Sequence, residues 1–129
     1  QINWNPGLGT QVISVQEYAF SPQVTTVSLA NQYSINSDSS YISQMAIPNV
    51  DITQYSLVVS GAFTRDDFGT FNAWVSPIIA NANSLVPFNG ARSLAHSYGI
   101  ADTPGTYTIN PSWSQNRNAT LGAMVFTFQ

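Results

Sequence analysis

Apolar and polar residues alternate along this chain with a period of two, in short runs closed by Gly, Pro, Asn or Ser. Successive side chains of an extended chain point to opposite faces, so such runs read as strands. The clearest runs from Tyr55 to Phe63. It places Tyr55, Leu57, Val59 and Phe63 toward a core and turns Ser56 and Ser60 outward. From Thr70 to Ile79 both faces carry apolar residues, with Phe71, Ala73, Val75 and Ile79 on one and Trp74 and Ile78 on the other. That is the pattern of a strand central in a sandwich or set at a subunit contact. Val12 to Phe20 changes phase, Ile13 and Val15 being odd and Phe20 even, and a bulge near Gln16 and Glu17 accounts for the change. Further strands are expected at Val24 to Ile35, broken near Ala30 and Asn31, and at Tyr41 to Ile47, Leu94 to Ile100, Thr106 to Trp113 and Thr120 to Phe128. NSDSS and NANSL read as loops. Eight or nine strands without helical spacing make an all-β chain, an antiparallel β-sandwich of jelly-roll or related type.

The first ten residues, QINWNPGLGT, have a loop's composition yet carry a tryptophan. Ile2, Trp4, Pro6 and Leu8 alternate with Asn3, Asn5 and Gly7, so residues 1–9 read as an extended arm ahead of one domain, 10–129. Three readings are open. Ile2, Trp4 and Leu8 dock on an adjacent subunit, Trp4 folds back over its own sandwich, or the terminus is disordered. The first residue is Gln, which fits a removed leader, and hence export, or a trimmed terminus.

Composition narrows the partners. A chain of 129 residues is one domain's length and buries about two-thirds of its unfolded surface. Only 7% of its residues are charged, against about 25% in ordinary soluble domains, and none is lysine. Ser, Thr, Asn and Gln supply the polar surface, as on many extracellular and virion-surface β-proteins. With Arg65, Arg92 and Arg117 as the only cationic side chains and a formal charge of −3, no phosphate-neutralising face can be assembled, so nucleic acid is not an expected partner. No apolar run approaches the ~18 residues of a membrane span, and membrane insertion is not expected. Cysteine is absent, which removes disulfides, thiolate zinc sites and cysteine nucleophiles. The final run, LGAMVFTFQ, is uncharged and apolar on both faces. At an open sheet edge it would aggregate, and burial against identical copies avoids that.

Candidate chemistry is sparse. His96 and Asp102 suggest part of a Ser-His-Asp arrangement, but no G-x-S-x-G turn accompanies them and Asp102 adjoins the turn Thr103-Pro104-Gly105. Asp66 and Asp67 are adjacent, so on an extended segment they face apart and cannot flank one glycosidic bond. With Asn72 they offer oxygens to calcium, but no D-x-D-x-D-G loop is present, and a turn paired with Arg65 is the simpler reading. No cofactor or metal is expected, and no enzyme. Sugar recognition needs an aromatic platform beside planar polar groups, and Trp74, Tyr98, Trp113 with Arg117, and Tyr41 are the candidates, making a surface glycan a candidate partner. Asn118-Ala119-Thr120 is a glycosylation sequon.

The stretch PGTYTINPSWSQNRNATLGAMVFTFQ resembles the closing hairpin of TNF/C1q-like jelly rolls in phage tail, fibre-tip and decoration proteins. Gly105, Tyr107, Ile109, Trp113 and the run Leu121 to Phe128 take the corresponding parts, over about the last quarter of the chain. In the eukaryotic C1q pattern several strands follow, whereas here one does, so no C1q-type ligand site carries over. The resemblance implies a compact jelly roll that trimerises and works by display or attachment, with no catalytic residues. The expectation is a self-assembling structural or attachment protein, extracellular or on a virion surface. The alternatives are a lectin-like binding module and, behind it, a small hydrolase.

Overall fold

Nine strands and no helix form among the residues that the computed structural model describes, which are 17–67, 69–75, 81–88 and 92–129, with backbone alone at 73, 75, 81–88 and 92. The arm residues Ile2, Trp4 and Leu8, and most of the Val12 to Phe20 run, lie outside them. The strands are β1 (Val27–Asn36), β2 (Ile42–Gln44), β3 (Ile47–Ile52), β4 (Ser56–Thr64), β5 (Phe71–Val75), β6 (Asn81–Phe88), β7 (Arg92–Ala101), β8 (Gly105–Arg117) and β9 (Ala119–Phe128).

They form two antiparallel sheets. The large one has the order β1-β9-β4-β7-β6. The small one is built on β8, which pairs with β2 and β3 in succession and with β5. The chain changes sheet at each passage between them, β2 and β3 counting as one broken strand, except from β6 to β7. The break foreseen near Ala30 and Asn31 is a register shift in β1 between Leu29 and Asn31, which leaves one residue unpaired. NSDSS is the expected turn, with Ser40 N donating to Ser37 O at 2.8 Å. NANSL is not a loop: it opens β6, paired with β7. Nor does LGAMVFTFQ lie at an edge. β9 is held between β1 and β4, so its amides are paired on both sides.

The core lies between the sheets, and its two sides contribute unequally. The small sheet and the segment between β2 and β3 send in the bulk: Met45, Ile47, Val50, Ile52, Ile109 and Trp113. The large sheet sends in Val58, Ala62, Ala95, Ala101, Ala119, Leu121, Ala123 and Val125. Between them stand Ser56, Ser60, Thr64, Ser93 and Ser97, all buried. Hydroxyls tolerate this position only with acceptors in reach. Ser60 Oγ donates to Gly122 O at 2.9 Å, Ser56 Oγ to Gln54 O at 2.7 Å and Thr64 Oγ1 to Asp66 O at 2.6 Å. Tyr33 ties the layers together, its hydroxyl accepting from Asp51 N at 2.9 Å.

This reverses one expectation. The period of β4 is as read, but its serines face inward, and Leu57, Val59 and Phe63 face out. The bulky small-sheet residues leave room opposite them only for small side chains. The larger apolar set of β4 therefore lies on the far side of the sheet.

Candidate functional site

The outer face of the large sheet collects what the inner face does not. Cross-strand register sets Leu57 between Ile100 and Phe126, Val59 between Tyr98 and Met124, and Phe63 between Leu94 and Thr120. Residues directly opposite on paired strands share a face, so these positions form one apolar field across β7, β4 and β9. None carries a charge. Tyr55, Ile100 and Met124 remain 51%, 46% and 42% exposed, and Leu29 on β1 is exposed as well. Leu57 is buried yet stands apart from the core between the sheets.

The segment leading into β1 crosses this face. Tyr18 meets Tyr98 edge-on, with ring centroids 5.2 Å apart, and Phe20 packs on Phe128 at 5.5 Å, with Tyr55 against the same ring at 5.1 Å. Thr25 and Thr26 then donate to Gln129 O and fix the chain beside the end of β9. Between the Tyr18 contact and β1 a groove of about 760 Å³ is open, lined from β7, β4, β9 and β1 and floored by Gly61 and Gly122. Its electrostatics are those of an apolar wall. Burial lowers the His96 pKa from its ordinary value, and burial followed by the neighbouring Tyr98 raises that of Tyr18. Each shift favours the neutral side chain.

The outer face of the small sheet is a different surface. Ile109, Pro111 and Trp113 of β8 point inward, so Thr108, Asn110, Ser112 and Ser114 point out.

The residues singled out for sugar binding do not share a surface. Trp113 is 1% exposed, a core residue whose Nε1 donates to Ile42 O at 2.9 Å, so it offers no ring face to a ligand. Trp74 is half-buried against the core and stacked at a tilt on Phe71, 5.3 Å between centroids. Its Nε1 is buried and finds no acceptor among the described residues. Tyr98 lies on the opposite layer, beneath Tyr18. Arg117 holds backbone: Nε donates to Asp67 O at 2.5 Å and Nη1 to Asn116 O at 2.8 Å, with Nη2 on Gln115 Oε1. Tyr41 is exposed and separate from these contacts.

The polar candidates resolve into turns. Asp67 Oδ1 accepts from Gly69 N at 2.9 Å and from Ser93 Oγ at 3.4 Å, and Arg117 reaches this turn through Asp67 O. Gly69 sits at φ 73°, a conformation glycine adopts without a Cβ penalty. Among the described residues no three His, Asp or Glu side chains converge as metal ligands. His96 lies mid-strand and Asp102 beyond the end of β7, six residues or roughly 20 Å of extended chain away. The sequon amide is engaged, Asn118 Nδ2 donating to Asp38 O at 2.6 Å and Ser40 O at 3.4 Å. Glycosylation there would take one of the two Nδ2 hydrogens that brace the β8–β9 turn against the β1–β2 turn. No helix among the described residues is long and apolar enough to cross a membrane.

Sequence reasoning missed the outer face because it assigned Leu57 and Val59 to the core. The missing signal was the matching alternation in β7 and β9, where Leu94, Tyr98, Ile100, Met124 and Phe126 repeat the same phase. No protein-family profile, curated protein sequence or solved structure matches this chain.

Proposed function

We propose that this chain is a non-enzymatic, self-associating jelly-roll module that builds or decorates a surface assembly outside the cell, such as a virion, a fibre tip or an extracellular filament. The observation that carries the proposal is the uncharged apolar field outside β7, β4 and β9. Contiguous apolar patches beyond a few hundred Å² mark interaction surfaces on soluble proteins. Three strands cover roughly 10–14 Å and a strand of this length roughly 30 Å, a field on the order of 300–400 Å². That is about half the ~800 Å² per partner of a standard interface, and the exposed Val27 and Leu29 of β1 extend it.

The alternation of the chain between sheets and the pairing of first strand with last support the jelly-roll reading. β6 departs from it by joining the large sheet. A second copy of the chain is the partner that fits best, because a face without charges gives a different protein little to read but shape. A homotrimer, which the resemblance of the C-terminal quarter implies, places one such face against each neighbour.

Light scattering on the wild type and on the double variant Tyr55→Lys/Ile100→Lys tests the proposal. Both residues are exposed, so the sandwich tolerates the change. The expected result is an oligomer at micromolar concentration that falls to single-subunit mass in the variant with its melting temperature nearly unchanged. A wild type that stays single at every concentration overturns the reading.

A further inference from the structure

At one end of the large sheet three separate stretches of chain are tied into a corner. Ser37 N donates to Ala119 O at 2.8 Å and Ser37 Oγ accepts from Ala119 N at 2.9 Å, which clamps the β1–β2 turn to the β8–β9 turn. Asn118 Nδ2 adds its bonds to Asp38 O and Ser40 O, and Arg65 N, just past β4, donates to Asn118 O at 3.0 Å. Register sets Asn36, Thr120 and Phe63 side by side in one row on the outer face. Asp38 takes φ 51°, a left-handed conformation that Asp and Asn adopt more readily than most residues, and its amide donates to Asn36 Oδ1 at 2.5 Å. The result is a cleft of about 340 Å³ lined by Asn36, Asp38, Phe63, Arg65, Asn118 and Thr120.

Unspent hydrogen-bonding capacity sets this cleft apart. The bonds that build the corner use Asn36 Oδ1 and Asn118 Nδ2, which leaves Asn36 Nδ2 as a donor and Asn118 Oδ1 as an acceptor. Among the described residues the Arg65 guanidinium, the Asp38 carboxylate and the Thr120 hydroxyl make no hydrogen bond or ion pair. The same residue types are consumed elsewhere, since Arg117 and Asp67 spend theirs on holding a turn.

The lining selects its ligand. A carboxylate only accepts and a guanidinium only donates, whereas a hydroxyl does both. Two neighbouring hydroxyls on one ring therefore give to Asp38 and take from Arg65 at the same time. A simple anion would meet the Asp38 charge and a simple cation that of Arg65. Phe63 supplies an aromatic surface for the C–H side of such a ring. The volume lies at the lower end of the ~300–1,000 Å³ of small-molecule clefts, room for one ring and not a chain of them. We propose that this corner binds a neutral saccharide unit through a vicinal diol, with Asp38 and Arg65 as the pair that reads the two hydroxyls. The site goes beyond the self-association proposed above and does not rest on it.

Nitrogen-15 NMR spectra of the protein, produced in a bacterium that does not glycosylate Asn118, are recorded during titration with the methyl glycosides of glucose, galactose and mannose, and separately with glycine. At least one glycoside is expected to shift the side-chain signals of Asn36, Asn118 and Arg65 saturably, with a dissociation constant on the order of millimolar. Asp38→Asn, which keeps the side-chain shape and suits the left-handed backbone, and Arg65→Gln should each weaken binding roughly tenfold or more. Neither changes the melting temperature, because neither side chain holds the fold. Binding persists at full strength in Tyr55→Lys/Ile100→Lys, so failure here and failure of the association test are separate results. No saturable shift with any of the three glycosides overturns the inference, as does sugar binding that Asp38→Asn leaves intact. Saturation by glycine in place of the sugars, a zwitterion satisfying the two charges, overturns the assignment of a neutral diol.

Discussion

Outside β8 the small sheet shows Thr108, Asn110, Ser112 and Ser114, whereas outside β4, β7 and β9 the large sheet shows Leu57, Val59, Tyr98, Ile100, Met124 and Phe126. Both faces look away from one shared core. Water has to be the solvent of the first, since its hydroxyls and amides are made for hydrogen bonding. Leaving the second in water forgoes about 25 cal/mol for each Å² of apolar surface that could be covered. The difference shows that the core of this sandwich is only one of its two apolar layers. The inner layer holds the fold together, and the outer one is the surface we propose for association between copies.

Substitutions along β9 separate the two layers. Leu121, fully buried, has the largest expected effect: Leu121→Ala lowers unfolding free energy by about 2–5 kcal/mol in urea denaturation. Met124→Ala, three residues on and facing out, costs a dilute single copy less than about 1 kcal/mol. Equal losses at the two sites would erase the distinction between layers. On the small-sheet side, Trp74→Phe removes a buried donor that has no acceptor among the described residues and leaves stability unchanged or raises it by up to about 1 kcal/mol. A marked loss would show that Trp74 Nε1 has an acceptor beyond the described residues.

The smallest effect is the pH response of the outer face. The folded chain holds the His96 pKa below its ordinary 6.5, so the unfolded chain takes up a proton first as pH falls. The contribution is complete above pH 6.5, declines below it and is gone once pH passes the lowered folded value. The melting temperature of the wild type relative to His96→Gln should therefore fall on acidification through this window. A rise would contradict a half-buried imidazole held neutral.

Much of the fold was legible from periodicity. β4 was expected at Tyr55 to Phe63 and occupies Ser56–Thr64, and the anticipated break in β1 is the shift between Leu29 and Asn31. Which face of a strand meets the core was not legible. A two-residue period fixes the division into faces, not their direction, and the bulk that keeps Ser60 inside comes from Trp113 and Ile109 on the other sheet. β6 was hidden by its composition, since Asn81, Asn83 and Ser84 read as a turn, yet Asn81 and Ser84 pair with Tyr98 and His96 of β7. Trp113 and Arg117 looked like a sugar platform because sequence spacing cannot tell a core indole from an exposed one. The groove was invisible for a simpler reason: Gly61 and Gly122, which floor it, are far apart in sequence and meet only through register.

The central claim is that the outer face of the large sheet, and not that of the small one, is where copies meet. The chain has no cysteine, so Ile100→Cys and Thr108→Cys each create a unique site for a polarity-sensitive fluorophore, one on each outer face. The account predicts that emission from the label at position 100 shifts to the blue as protein concentration rises, while that from position 108 stays constant. A label at position 100 that reports water at every concentration, or a shift at position 108 alone, would contradict it.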